Sequence, residues 1–260
     1  MEPELYTRFL EIEDDFWWSV GTRRVFFDLV NASRAAPGGR ALDVGCGTGI
    51  TMSEFPREWA LVAGCDRSDL ALSACRVRGV ETLVRADAAR LPFASGTFDL
   101  VMALDVIEHV DDDAICLREI VRACRSGGCV LLHVPAFPVL WTEKDDLSHH
   151  RRRYTRRELL ALVDQCGLSV ERVFFLNGFL FPVALGRALW ERLWSGRARP
   201  ASRGTERIDR LYRIPAPLNR LLLALMHLER RAFARHSPPF GMSLVCLARK
   251  PAGREEPAAT

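Results

Sequence analysis

Short apolar runs alternate with amphipathic stretches between residues 40 and 176, and one more apolar run follows near the C-terminal end. Apolar runs bounded by glycine or acidic residues are typical of buried strands, and the stretches between them have the spacing of amphipathic helices. Strands are predicted over 41–45, 61–66, 83–87, 98–105, 129–135, 169–176 and 242–249. Helices are predicted over 49–57, 69–78, 112–125 and 156–166. This alternation predicts an α/β fold built from parallel βαβ units.

Residues 178–239 interrupt the alternation before the last strand and are rich in arginine and proline. Amphipathic helices are predicted around 183–194 and 218–234. In the second helix one face is apolar: Leu218, Leu221, Leu222, Leu225, Leu228 and Ala232. Such an insertion is either a helix pair packed on the core, or a lid or membrane-surface element.

Composition and charge narrow the class of protein. The 260 residues suffice for one large domain, and 48% hydrophobic with 27% charged residues exclude a disordered chain. The net charge of +3 is unevenly spread, with −9 over residues 1–150 and +12 over residues 151–260. The basic part favours an anionic partner such as phosphate, nucleic acid or lipid headgroups, or else is a solvated arginine-rich surface.

The eight cysteines contain no C-x-x-C pair and lie mostly in apolar runs, which predicts reduced, buried thiols. No secretory signal or membrane-spanning segment is expected. We therefore expect a cytoplasmic protein, with peripheral contact at the inner face of the membrane if the insertion binds lipid.

A strand, a glycine-rich turn and a helix follow one another in the sequence ALDVGCGTGI at residues 41–50. A dinucleotide-binding loop has the spacing G-x-G-x-x-G, and Ile50 stands where its third glycine belongs. An NAD-dependent dehydrogenase is therefore disfavoured. Asp43, two residues before the first glycine, would repel a pyrophosphate but suits a cofactor with a cationic end.

The loop resembles motif I of class I S-adenosylmethionine (SAM) methyltransferases, and further matches occur in the expected order. Asp66 ends the second strand, Asp87 closes the third, and residues 98–109 resemble motif IV. The resemblance implies SAM as cofactor and a Rossmann-like, seven-stranded, mostly parallel sheet whose last strand is antiparallel. It implies these cofactor-binding residues: Asp43, Gly45, Cys46, Gly47, Gly49, Asp66, Arg67, Asp87, Ala88 and Leu104.

Acidic and imidazole side chains follow the fourth strand, where one helical turn could present them together as part of a Mg²⁺ or Mn²⁺ site. Residues 145–159 resemble the H-x-x-x-aromatic-Thr-x-x-E segment of small-RNA 2′-O-methyltransferases and, more loosely, the ubiquinone-pathway catechol O-methyltransferases. The resemblance implies a metal set of Asp105, Glu108, His109 and His150. Asp105 departs from the pattern, because those families have glutamate there.

Without a metal, His150 or His109 is the best general base, since an imidazole can accept a hydroxyl proton near neutral pH. The sequence does not separate His149 from His150. His133 lies inside the fifth strand and is expected to be a core residue.

The N-terminal segment Phe16-Trp17-Trp18 resembles the N-terminal segment of a bacterial subgroup of these enzymes. The resemblance implies a helical cap near the cofactor and acceptor. The alternative is that this segment simply packs on the core. The expected division is an N-terminal helical cap over 1–39, a SAM-binding domain over 40–177 and 240–250, a helical insertion over 178–239, and a disordered tail over 251–260.

The expected function is SAM-dependent methyl transfer to a hydroxyl of a small-molecule, sugar or lipid-linked acceptor, with or without a divalent metal. Three alternatives stay open: an RNA 2′-O-methyltransferase, an N- or C-methyltransferase of a small metabolite, and a non-catalytic scaffold subunit. The RNA 2′-O-methyltransferase is disfavoured because no recognisable RNA-binding module accompanies the basic residues. The sequence does not fix the oligomeric state.

Overall fold

A seven-stranded mixed sheet forms the centre of the protein in a computed structural model that describes residues 3–33, 38–194, 212–233 and 238–252. The strands are β1 (Arg40–Val44), β2 (Leu61–Asp66), β3 (Leu83–Arg85), β4 (Phe98–Leu104), β5 (Cys124–Pro135), β6 (Ser169–Leu176) and β7 (Ser243–Arg249). Their order is β3-β2-β1-β4-β5-β7-β6. Strands β1 to β5 pair in parallel, and β7 runs antiparallel to both β5 and β6. The predicted Rossmann-like sheet with an antiparallel last strand is thus confirmed.

Helices cover both faces of this sheet. They are α1 (Pro3–Ile12), α2 (Trp17–Ala32), α3 (Ile50–Ser53), α4 (Asp69–Val77), α5 (Asp113–Ala123), α6 (Glu143–Leu147), α7 (Arg156–Gln165), α8 (Phe181–Trp194) and α9 (Ala216–Phe233). Strands β1, β4 and β5 are almost wholly buried, because helices lie on both sides of them. No helix in the described ranges is long and apolar enough to cross a membrane.

Two predicted boundaries are wrong for local reasons. The helix expected over 49–57 ends at Ser53, three residues before Pro56, so it has only four residues. The helix expected over 112–125 ends at Ala123, and β5 begins at Cys124 instead of Cys129. A bulge in β5 between the Phe98–Cys124 and Leu100–Cys129 pairs lets β5 start early, with Gly127 at φ +75° inside it.

The predicted apolar face of α9 is only partly covered, with Leu222 and Leu225 half-buried. The helix lies against α2 through its other side, where the buried Met226 touches Gly21 and Arg230 pairs with Asp28. Leu218, Leu221 and Leu228 are exposed. Helical periodicity predicted the apolar face, but the contact with α2 combines the apolar Met226 against Gly21 with the charged pair of Arg230 and Asp28. The expected tail and residues 195–211 of the insertion lie outside the described residues, apart from residues 251 and 252.

Candidate active site

Two adjoining cavities open at the carboxyl ends of the parallel strands, the edge at which such sheets bind ligands. Their volumes are about 360 and 680 Å³. The larger lies beside the ends of β2 and β3, and the smaller lies beneath α1 and α2. The following residues line both: Tyr6, Gly45, Gly47, Asp105, His109 and His150. A ligand in the larger cavity would therefore reach the smaller one past two histidines.

The glycine-rich turn after β1 forms the wall between the cavities. At Gly47, which has φ +55°, an added Cβ would meet no protein atom within 4 Å, so the backbone there faces open space. At Gly45 a Cβ would lie 2.6 Å from a methyl carbon of Val106, and at Gly49 it would lie 2.9 Å from Cys75 Sγ. Gly45 and Gly49 thus permit close packing behind the turn, and Gly47 leaves room for a ligand.

Two carboxylates line the larger cavity: Asp66 ends β2, whereas Asp87, which was expected to close the third strand, lies two residues after the end of β3. Asp66 accepts hydrogen bonds from the backbone N–H groups of Gly47 (3.1 Å) and Ser68 (2.9 Å), which ties the glycine turn to the end of β2. Asp87 accepts the N–H of Ala89 at 2.8 Å. Each carboxylate oxygen has two lone pairs, so both side chains retain acceptor capacity for a ligand.

Asp43 is buried on β1 and forms no ion pair with any described residue. Burial, and then the nearby charge of Asp66, raise the pKa of the Asp43 carboxyl to about 7. A cationic ligand would offset both effects, because an opposite charge favours the ionised carboxylate. The carboxylate thus suits a cofactor with a positively charged end.

Nine of the ten predicted cofactor residues line one or both cavities: Asp43, Gly45, Cys46, Gly47, Asp66, Arg67, Asp87, Ala88 and Leu104. Gly49 lines neither. It precedes α3 with φ +77° and packs against Cys75, so its place in the motif is explained by backbone geometry.

His150 faces both cavities and is oriented by a buried carboxylate that the sequence analysis did not single out. Its Nδ1 lies 2.8 Å from Asp145 Oδ1, and Arg153 donates to both oxygens of Asp145 at 2.7 and 3.0 Å. Burial opposes the charge on Asp145, but the hydrogen bonds from His150 and Arg153 lower its pKa to about 2. An ionised Asp145 accepts a hydrogen bond from Nδ1–H of His150, which leaves His150 Nε2 as an acceptor.

His109 and Glu108 lie next to His150. The rings of His109 and His150 are 4.8 Å apart at an angle of 76°. Burial, and then the adjacent His150, lower the pKa of His109 to about 4, so its imidazole is neutral but a weak base at neutral pH. Glu108 is fully buried, and neither of its oxygens has a hydrogen-bond partner among the described residues. Burial and the charge of Asp105 raise the pKa of Glu108 well above its usual range.

The four predicted metal ligands are only partly brought together. Ligand atoms of Glu108, His109 and His150 lie within 4.8 Å of one another. Asp105 has φ +56° and directs its carboxylate at His133, 2.9 Å from Nδ1, so it lies outside that group.

His149, adjacent to His150, is exposed with φ +57° and lines only the larger cavity. The arginines that follow brace this loop and do not project freely. Arg151 pairs with Asp111, and Arg152 pairs with Asp113. Of these two histidines, His150 alone lines both cavities.

The N-terminal helices cover the smaller cavity. Phe16, Trp17 and Trp18 line it. Glu13 accepts a hydrogen bond from the Thr48 hydroxyl of the glycine turn, which fixes the cap to the cofactor loop. The aromatic rings make this cavity suited to a flat, apolar molecule.

Comparison with known proteins identifies the family. Residues 42–132 match the family described as "Methyltransferase domain". A demethylmenaquinone methyltransferase of Thermobifida fusca is 31% identical over 219 residues, which is 73% of this chain and 90% of that protein. The chain belongs to the class I SAM-dependent methyltransferases. A ubiquinone biosynthesis O-methyltransferase of Hahella chejuensis is 34% identical over 106 residues, or 38% of this chain and 44% of that protein, so the match spans less than half of that relative.

Solved methyltransferases share the fold. A SAM-dependent methyltransferase of Thermotoga maritima, described as a possible histamine N-methyltransferase, has a TM-score of 0.57 over 95% of each chain. At 18% identity this likeness extends to the fold alone. Membership of the class I methyltransferases implies SAM as the cofactor, and the larger cavity with Asp66, Asp87 and the open Gly47 turn fits its adenosine part.

SAM binding is expected to weaken as the pH falls below 7. The Asp43 carboxyl, whose pKa is about 7, takes up a proton in this range and loses the charge that attracts a cationic cofactor. Affinity should fall by up to about tenfold for each pH unit below that pKa, measured by titration calorimetry. Asp43→Asn should bind weakly with a flatter profile, and a variant profile as steep as the wild type would contradict this role.

Proposed function

We propose that this methyltransferase transfers a methyl group from SAM to a hydroxyl of a flat, apolar small molecule of the quinol type. The observation that carries the proposal is the hydrogen-bonded pair of His150 and Asp145 at the junction of the two cavities. A base at that position stands between the cofactor side and the acceptor side. The name of the Hahella relative, a ubiquinone biosynthesis O-methyltransferase, supports transfer to oxygen on a molecule of this class.

SAM held by residues such as Asp43, Asp66 and Asp87 would supply a methyl group activated by a positively charged sulfur, and the sulfur would become a neutral thioether on transfer to the acceptor oxygen. His150 Nε2 accepts the hydroxyl proton, so the oxygen gains the methyl group and remains uncharged. Asp145 stabilises the imidazolium that forms, and Arg153 holds Asp145 in place from the other side. The cap helices exclude water and orient the acceptor, since most of the barrier in such transfers is lowered by positioning.

The same side chains have the chemistry of a divalent-cation site, which is the second candidate mechanism. Glu108, His109 and His150 would hold Mg²⁺ or Mn²⁺, with the unpartnered carboxylate of Glu108 as the anionic ligand. The ion would lower the pKa of the acceptor hydroxyl, and His150 would then act as a ligand instead of a base.

Activity is expected to survive exhaustive dialysis against EDTA. Asp105 pairs with His133, and Glu108 is fully buried and lines neither cavity, which favours the base mechanism. The measurement is the initial rate of methyl transfer after EDTA treatment, with and without added Mg²⁺ or Mn²⁺. Loss of activity that either ion restores would favour the metal mechanism, and Glu108→Gln should then abolish the restoration.

The acceptor class can be tested with SAM carrying a radiolabelled methyl group and fractionated extract of the source cells. The proposal predicts label in the small-molecule or lipid fraction. Label confined to RNA would overturn the acceptor assignment in favour of a 2′-O-methyltransferase. No label in any fraction would favour a non-catalytic scaffold.

Peripheral membrane contact is a further part of the proposal, because both insertion helices expose apolar side chains. Val183, Trp190 and Leu193 follow one face of α8 and are 62% to 81% exposed. On α9 the exposed leucines lie beside the exposed Arg220 and Arg231. Apolar side chains flanked by basic ones are typical of helices that bind anionic lipid surfaces.

The protein should sediment with vesicles containing phosphatidylglycerol and less well with phosphatidylcholine vesicles. Trp190→Ser with Leu193→Ser should reduce this binding, because burial of apolar side chains in the interface contributes to affinity. Val77→Ser is the matched control, since Val77 on α4 is 79% exposed outside the insertion. Equal sedimentation of wild type and double variant would exclude the contact.

A further inference from the structure

Most charged groups in the smaller cavity already have a hydrogen-bonding or ionic partner. Four carboxyl groups line it: Glu13, Asp43, Asp105 and Asp145. Glu13 is bonded to Thr48 and Asp105 faces His133, while Asp145 is held by the histidine and arginine described above. Asp43 is left for the cofactor in the proposed function. The cavity thus has no acidic side chain that requires a cationic acceptor.

Three permanently basic side chains line the same cavity: Arg23, Lys144 and Arg153. Arg23 donates to both carboxylate oxygens of Glu54, at 3.0 and 2.9 Å, and Arg153 is committed to Asp145. Lys144 differs. Among the described residues its ammonium group has no carboxylate partner and no hydrogen bond, although an ammonium offers three donors.

Two aromatic rings flank the Lys144 ammonium. Its Nζ lies 5.4 Å from the ring centre of Trp18 and 4.8 Å from that of Tyr212, both within the range of cation–π attraction. The rings thus hold the charge in the cavity without neutralising it. Lys144 is also next to Asp145 on α6, so one short helix presents this cation and positions the base.

We propose that Lys144 selects acceptors that carry an anionic group, a carboxylate or a phosphate, beside the aromatic ring that is methylated. The ammonium binds the anion by a charge-assisted hydrogen bond, and the neighbouring rings contact the apolar body of the acceptor. This inference rests on the proposed function, which makes the smaller cavity the acceptor site. It adds that the acceptor is negatively charged. A purely structural role for Lys144, holding the two rings together, is the competing explanation.

Binding can be measured without turnover, so failure of this inference is distinguishable from failure of methyl transfer. Protein saturated with S-adenosylhomocysteine is titrated in a calorimeter with dihydrocaffeate and with its primary amide, which differ in charge. A second pair, phenyl phosphate and phenol, tests phosphate in place of carboxylate. In at least one pair the anion should bind about tenfold to a hundredfold more tightly than the neutral compound.

Variants of Lys144 separate recognition from structure. Lys144→Met should lose the preference for the anion while its affinity for the neutral compound stays unchanged, and Lys144→Arg should retain the preference. Equal binding of anion and neutral compound to the wild type in both pairs would overturn the inference. A Lys144→Met variant that weakens both members of a pair equally would also overturn it, because that is the result of a structural role.

Discussion

Replacing His150 by glutamine should lower kcat by about 100- to 10,000-fold, the usual contribution of a positioned general base. Glutamine keeps a polar side chain of similar reach but cannot take up a proton. SAM affinity should change little, because the residues proposed to hold the cofactor lie on β1, β2 and β4 and in the loops after β1, β2 and β3, and not in the loop that carries His150. The measurement combines steady-state kinetics with calorimetric titration of SAM.

Two further variants make this result specific. Asp145→Asn should also lower kcat, since an amide can present its NH₂ group to Nδ1 and no longer stabilises the imidazolium. His227→Gln is the matched control, because His227 lies on α9 and lines neither cavity. A His150→Gln variant with near wild-type kcat would contradict the assignment of the base.

Asp66→Ala should weaken SAM binding by about 100-fold. Its carboxylate holds the N–H of Gly47 and that of Ser68, and in the proposed complex it also accepts hydrogen bonds from the ribose hydroxyls. Hydrogen bonds to charged groups each contribute about 1.5–3 kcal/mol, and here loss of the side chain also releases the glycine turn. The measurement is the dissociation constant for SAM by calorimetry.

Asp69→Ala is the control for that variant. Asp69 lies three residues further on, has a 71% exposed side chain and pairs with Arg85 at the surface. Its replacement should leave SAM affinity within about twofold, as expected for an exposed ion pair. Unchanged affinity in a folded Asp66→Ala protein would contradict the cofactor site as we describe it.

The sheet and the cofactor loop were predictable because their signals are local. Apolar runs such as that of β4 and the glycine spacing after β1 depend on neighbouring residues alone, and the structure confirms the strands they indicate. The start of β5 was not predictable from the sequence. Gly127 and Gly128 usually interrupt a strand, but Cys124, which precedes them, already pairs with Phe98.

The electrostatics of the site were less accessible from the sequence. Asp145 stands within a run of charged residues, where the only local signal is its capping-box spacing to Thr142; the neighbouring Asp146 is exposed and bonded to Trp141. Only the fold buries Asp145 between His150 and Arg153. Lys144 likewise became informative only when the cap helices placed Trp18 near its charge.

Methyl transfer to oxygen is tested most directly by the chemistry of the product. The protein would be incubated with SAM labelled with ¹³C in the methyl group and with the acceptor fraction, and the product examined by NMR. We expect the labelled carbon to resonate as a methoxy group, coupled only to its own protons and attached through oxygen to the acceptor ring. A labelled methyl group bonded to carbon or nitrogen would contradict the account, because neither product requires His150 to take a proton from a hydroxyl.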